Sequence, residues 1–156
     1  MYTRKLNEAP IEGFTIEQSI EKFPVIKISP EGADPVVTVI CYGGMLEDVE
    51  KAVQAAFDDE DILCEIICPT CIHPLDISPI AQSVKKTGRV LIAEEGASFA
   101  ALGSEIIARL AELSVPIKKT ARLGNNSIIP CSLIAENNLL PNPQTILQGI
   151  KAIKNG

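Results

Sequence analysis

The chain has 156 residues and a net charge of −6, with 46% hydrophobic and 22% charged residues. This suits one domain with one continuous core. With no tryptophan, that core must be built mainly from Ile, Val, Leu and Ala. The charge is spread along the chain without a basic patch, which argues against a nucleic-acid partner. The longest nearly apolar run, VVTVICYGGML, is too short to cross a bilayer, so no membrane partner is expected.

The first 23 residues are polar, weakly periodic and punctuated by Pro10 and Gly13. They read as an N-terminal arm or interdomain linker, with the folded domain over 24–156. MYTRKLNEAP lacks the apolar segment of a signal peptide. Together with five cysteines, an odd number, it points to a cytoplasmic location and reduced thiols.

From residue 24 short apolar runs alternate with amphipathic segments. PVIKIS (24–29) predicts a modest strand. VVTVICYG (36–43) is apolar on both faces, as in a central strand of a covered sheet. Apolar residues at 45, 49, 52, 53, 56 and 57 predict a helix, closed by a solvated turn at Asp58–Asp61. ILCEIIC (62–68) predicts the next strand. Ser78 reads as a helix cap before Pro79, and Lys85, Lys86 and Gly88 as the end of that helix. RVLIAEE (89–95) predicts a third buried strand, residues 99–113 a helix, and PIKKTARLG (116–124) a more polar strand. An irregular apolar stretch follows, NNSIIPCSLIAENNLL, and Asn142-Pro143 opens a terminal helix. Strands alternating with helices predict a mostly parallel sheet with helices on both faces.

CEIICPTCIH (64–73) holds three of the five cysteines and the only histidine. A structural zinc site needs four ligands from two half-sites, and only one C-x-x-C occurs. A thioredoxin-like pair needs the C-x-x-C at a helix start, but the next helix begins about eight residues past Cys71. An iron–sulfur triplet must converge from a loop, whereas Cys64 and Cys68 fall on one face of a strand. The cysteines read as small apolar core residues, and no metal is expected. His73 reads as a loop residue.

Gly43-Gly44, between a strand and a helix, is a place for a tight turn or for backbone contact with an anion. Glu94-Glu95 ends a strand at the carboxyl edge of the sheet and reads as a solvated or interface pair, with an acid–base role as the rival. The candidate interface or anion-contact residues are Gly43, Gly44, His73, Asp76, Glu95, Ile128 and Ile129. No catalytic or cofactor-binding residue is assigned.

Five stretches in order, VVTVICYGGMLEDVEKAVQAA, EIICPTCIHPLD, VKKTGRVLIAEEG, GSEIIARLAE and LLPNPQTILQGIKAI, resemble the carboxy-terminal domain of the transketolase superfamily. The likeness is strongest to the beta subunit, or fused beta half, of thiamine-diphosphate-dependent 2-oxo acid dehydrogenases of pyruvate or branched-chain type. The family's Asp-Leu-Arg-Thr-Leu-x-Pro-x-Asp motif has Cys68, Thr70 and Cys71 at its Asp, Arg and Thr positions, and keeps Pro74 and Asp76. Of its Gly-Gly-x-Gly-x-Glu turn, Gly103 and Glu105 remain. Asn126 stands where its Gly-x-Asp-x-Pro-x-Pro motif has Asp.

The resemblance implies a three-layer α/β/α sandwich with a five-stranded, mostly parallel sheet, one strand (24–29) running antiparallel. It implies no cofactor in this domain, because the Gly-Asp-Gly…Asn pattern for magnesium and pyrophosphate is missing. Thiamine diphosphate and magnesium would belong to the parent enzyme. The implied partners are the parent's other domains or subunits, the dihydrolipoyl acyltransferase core, and a second copy in a homo-oligomer. The implied role is subunit association and shaping of the active-site entrance, without chemistry of its own. Two rivals stay open: a regulatory module binding a small anion at Gly43-Gly44, and a cysteine-based redox or metal protein using residues 64–73.

Overall fold

The computed structural model describes residues 11–127 and 139–155. Ile128 and Ile129 lie outside the described residues. Ten elements follow in chain order: β1 (Phe14–Gln18), β2 (Val25–Pro30), β3 (Val37–Cys41), α1 (Met45–Glu60), β4 (Cys64–Pro69), α2 (Ser78–Thr87), β5 (Arg89–Ala97), α3 (Leu102–Glu112), β6 (Lys119–Asn125) and α4 (Pro143–Asn155). The strands form one sheet in the order β1-β2-β4-β3-β5-β6.

β3 is fully buried along its length, as expected of a strand covered on both faces. It pairs in parallel with β4 on one side and β5 on the other, and β6 extends the parallel set beyond β5. β2 runs antiparallel to β4, the one reversed strand, as expected for 24–29. The alternation of side chains divides the core in two. One face joins Val39, Cys41, Cys64 and Ile66 to α1 and α4. The other joins Ile40, Ile67, Val90 and Ile92 to α2 and α3. This is the expected three-layer sandwich, with helices on both faces of a mixed sheet.

The sheet has six strands rather than five. The extra strand, β1, comes from the segment read as an arm, and it pairs with β2 from Phe14↔Pro30 to Gln18↔Ile26. Ile11 and Phe14 are buried in the α1 face, and Phe14 meets the Phe57 ring edge-on at 5.8 Å. Burying a phenylalanine contributes about 2 kcal/mol, enough to hold a five-residue strand whose other side chains are largely exposed.

Helix ends also differ in detail. α1 runs on through Glu60 and stops at Asp61, whose left-handed backbone (φ 51°) lets its amide reach the Phe57 carbonyl at 3.1 Å. α2 starts at Ser78 itself. The N-cap position is Ile77, without a side-chain cap, and just outside it Asp76 Oδ1 accepts the Ser78 amide at 2.9 Å. Gly88 ends α2 with φ 63°, and its amide bonds the Val84 carbonyl at 2.7 Å. Inside the sandwich, Thr38 on β3 shares its hydroxyl with Ser83 at 2.7 Å and with Thr87 at 2.8 Å, which fixes α2 on the sheet. No helix among the described residues is long and apolar enough to cross a membrane.

Candidate functional site at the carboxyl edge

The chain leaves β3 through α1 to β4 on one side, then returns through α2 to β5 on the other. The strand order therefore switches between β3 and β5. In open α/β sheets the crevice outside the strand ends at such a point is the usual binding place. Tyr42, Gly43 and Gly44 follow β3, and Glu94 and Glu95 lie in β5.

Gly43 adopts φ 61°, a conformation glycine takes without strain, and this turns the chain straight into α1. Gly44 lies beside Glu95, with 3.7 Å between its ideal Cβ position and Oε2. Gly44, Met45, Asp48, Glu95 and residues 140–143 line a cavity of about 280 Å³. Asp48 and Glu95 give this lining a negative character, which favours a positively charged or apolar surface over a small anion.

The adjacent carboxylates part company here. Glu95 is exposed, while Glu94 is completely buried. Glu94 Oε1 accepts the Tyr42 hydroxyl at 3.0 Å and the Gly103 amide at 2.8 Å. Glu94 thus satisfies one of the free amides at the start of α3 and favours the helix dipole there. Its Oε2 is buried without a hydrogen-bond partner among the described residues. Burial, and then the negative charge of Glu94, push the Tyr42 phenol up to about 12. A buried carboxylate tied to a helix start and a phenol is a structural anchor, which accounts for Gly103 better than any reaction does.

His73 and Asp76 sit apart from this crevice. They line a second cavity of about 380 Å³ with Glu21, Lys22, Phe23, Val25, Cys71 and Pro74, beyond the end of β4. Cys71 donates to the His73 carbonyl at 3.4 Å. The predicted residues therefore fall into two groups, Gly43, Gly44 and Glu95 in one and His73 and Asp76 in the other. Arg122 was missed by sequence reasoning. It donates from β6 to the Ser98 carbonyl at 2.8 Å and to the Ser104 hydroxyl, bracing the loop between β5 and α3.

Among the described residues no group of three or more His, Cys, Asp or Glu side chains could hold a metal ion. With no Gly-Asp-Gly pattern in the sequence, these residues do not fit a magnesium-diphosphate group, and no chemical step is assigned through one.

Among the described residues the exposed large apolar side chains are unevenly distributed. Ile20, Phe23, Ile72 and Phe99 all follow or precede strands at the carboxyl edge. Val36 and Leu113 occupy the opposite end.

A doubly wound parallel core, flanked by the β1–β2 hairpin whose β2 is the one reversed strand, defines a three-layer α/β domain with its crevice at the strand ends. The chain belongs to the "Transketolase, C-terminal domain" family, which it matches over residues 26–146. It is 33% identical over 157 residues to the pyruvate dehydrogenase E1 component subunit beta of Staphylococcus epidermidis, covering 97% of this chain and 45% of that protein. It is 32% identical over 156 residues to the corresponding subunit of Staphylococcus aureus, again with 97% and 45% coverage. The chain thus spans a little under half the length of these relatives. Among solved structures it resembles a split-gene transketolase described as an inactive beta4 tetramer, with TM-score 0.70, 19% identity, and 83% of this chain and 42% of that one covered. It also resembles the 2-oxoglutarate:ferredoxin oxidoreductase of Magnetococcus marinus, with TM-score 0.54 and 12% identity, covering 93% of this chain and 20% of that one.

Proposed function

We propose that the chain serves as the C-terminal domain of the decarboxylating component of a cytoplasmic 2-oxo acid dehydrogenase complex, where it mediates subunit association and shapes the active-site entrance. The chemistry, with thiamine diphosphate and magnesium, belongs to the parent enzyme's other parts. The partners are those parts, a second copy of the chain, and the dihydrolipoyl acyltransferase core. The likeness to E1 beta subunits supports this reading.

The observation that carries it is the gathering of Ile20, Phe23, Ile72 and Phe99 on one edge, where Phe23 lines an open cavity. Contiguous exposed apolar surface marks interaction sites, and a stable interface buries on the order of 1,000 Å² or more. Sedimentation of the chain and of a Phe23→Asp/Phe99→Asp variant tests it. The expected result is a dimer or larger species that becomes monomeric in the variant, with unchanged melting temperature. A wild-type monomer across micromolar concentrations would overturn the association role. Decarboxylation of pyruvate by the chain alone, supplied with thiamine diphosphate and magnesium, would overturn the absence of chemistry.

A further inference from the structure

The pairing of β3 with β4 runs Val37↔Cys64, Thr38↔Glu65, Val39↔Ile66, Ile40↔Ile67. One position further along, Cys41 and Cys68 face each other at the carboxyl ends of the two strands. Both belong to the α1 side of the core, and both are buried, Cys41 completely and Cys68 to all but 5%. Both are free thiols. Neighbouring strands lie about 4.8 Å apart, inside the Cα separation of about 4.4–6.8 Å that a disulfide spans. The sequence pattern suggests another partner, because Cys68 and Cys71 form the C-x-x-C. In the fold, however, Cys71 lies beyond the strand end and directs its Sγ to the His73 carbonyl.

We propose that Cys41 and Cys68 are a redox-active pair that closes reversibly into a cross-strand disulfide, with a small-molecule disulfide as oxidant. The Cys68 thiolate attacks one sulfur of the oxidant, and that bond breaks as the other sulfur leaves as a thiolate. The Cys41 thiol gives its proton to the departing thiolate. Its sulfur then attacks Cys68 Sγ and expels the second small thiolate, which takes up the proton that Cys68 released on ionising. Two electrons pass from the pair to the oxidant, which leaves as two thiols.

The roles follow from the surroundings. Hydrogen bonding to Cys41 holds the Cys68 thiol below its ordinary range, and Cys68 is the less buried of the two. Hydrogen bonding with Cys68, together with burial, pushes the Cys41 thiol well up. The buried Glu50 carboxylate on α1 opposes negative charge on both sulfurs, so the reduced pair does not rest as a dithiolate. Closure would pin the strand ends that carry Gly43-Gly44 and the Cys71–Asp76 loop, and so would act on both cavities of the carboxyl edge.

The test is incubation of the native chain with oxidised glutathione, alkylation in denaturant, and peptide mapping by mass spectrometry. The expected product is a Cys41–Cys68 linked peptide pair about 2 Da lighter than the sum of the two reduced peptides, reopened by dithiothreitol. The Cys64→Ser variant should give the same link. Cys41→Ser should instead leave glutathione on Cys68. A Cys68–Cys71 link, or glutathione on Cys71 alone with Cys41 and Cys68 both alkylated, would overturn the proposal. The wild-type mapping stands even where a variant fails to fold.

Discussion

The Gly103 amide donates to Glu94 Oε1 at 2.8 Å, which ties the first turn of α3 to the end of β5. The approach is possible because residue 103 has no side chain. A Cβ there would lie 3.0 Å from Glu94 Cδ and 3.2 Å from Ile92 Cγ2, and closer still to Glu94 Oε2.

Gly103→Ala is therefore expected to destabilise the domain. Helix propensity alone favours alanine by about 1 kcal/mol. Overpacking against two fully buried side chains costs about 1–3 kcal/mol. Urea unfolding should show a lower midpoint with little change in slope. An unchanged or higher midpoint would show that Glu94 moves aside freely.

Tyr42 sets a pH limit. Its phenol is raised from 10.0 to about 12, by burial first and by Glu94 second. A raised pKa means that the folded state holds its proton more tightly than the unfolded one. The stabilisation from this group is thus complete below pH 10 and is lost as pH rises from 10 to 12. Ultraviolet titration should show one of the two tyrosines ionising late, and Glu94→Gln should move that transition down without returning it to 10, since burial remains. A variant phenol that still titrates near 12 would remove Glu94 as a cause.

Thiol reactivity should separate the cysteines. Burial raises the Cys64 thiol to about 12, and Cys71 is the least buried of the four described cysteines. With Ellman's reagent in the folded state, Cys71 should react before Cys64 by orders of magnitude. Cys64 should become reactive only on unfolding. Fast native labelling of Cys64 would contradict its place in the core.

The Thr38, Ser83 and Thr87 hydroxyls act together. Thr38→Val takes one partner from each of the others, at a cost of about 1–3 kcal/mol. The Thr87 hydroxyl keeps a carbonyl to donate to, that of Arg89 at 3.0 Å, which holds the loss toward the lower end. Because the groups are in contact, Thr38→Val combined with Ser83→Ala should cost less than the two changes summed. Strict additivity in urea unfolding would mean that the hydroxyls do not couple.

The parallel core was readable because β3, β4 and β5 are apolar runs separated by helical stripes. β1 was not. Its hairpin loop has no Asn-Gly or Asp-Gly signal, and its hold on the core is Ile11, Phe14 and the partly buried Ile16, with Phe14 meeting Phe57 of a helix some forty residues later. Ser78, Pro79 and Asp76 all carry helix-start signals, and only the fold shows that α2 begins at Ser78 with the Asp76 carboxylate on its amide. In the site, Glu94-Glu95 held more information than was drawn from it. Successive strand residues point to opposite faces, so the two adjacent carboxylates had to face different helix layers. That Glu94 meets Tyr42 and Gly103 depends on how β3 and α3 converge, which no local pattern encodes.

The β1–β2 hairpin also closes off one margin of the sheet. Without it, β4, whose six residues are all buried, would form the outer margin of the sheet with its backbone open to any passing strand. An apolar open margin is a template for aggregation. The hairpin replaces it with a margin bearing Thr15 and Glu17, the latter paired with Lys27 at 2.9 Å. The far margin, β6, carries Lys119 and Arg122. A chain trimmed to begin at Val25 would keep every parallel strand, yet would lose Ile11 and Phe14 and bare the flank of β2. Such a fragment should collect in inclusion bodies.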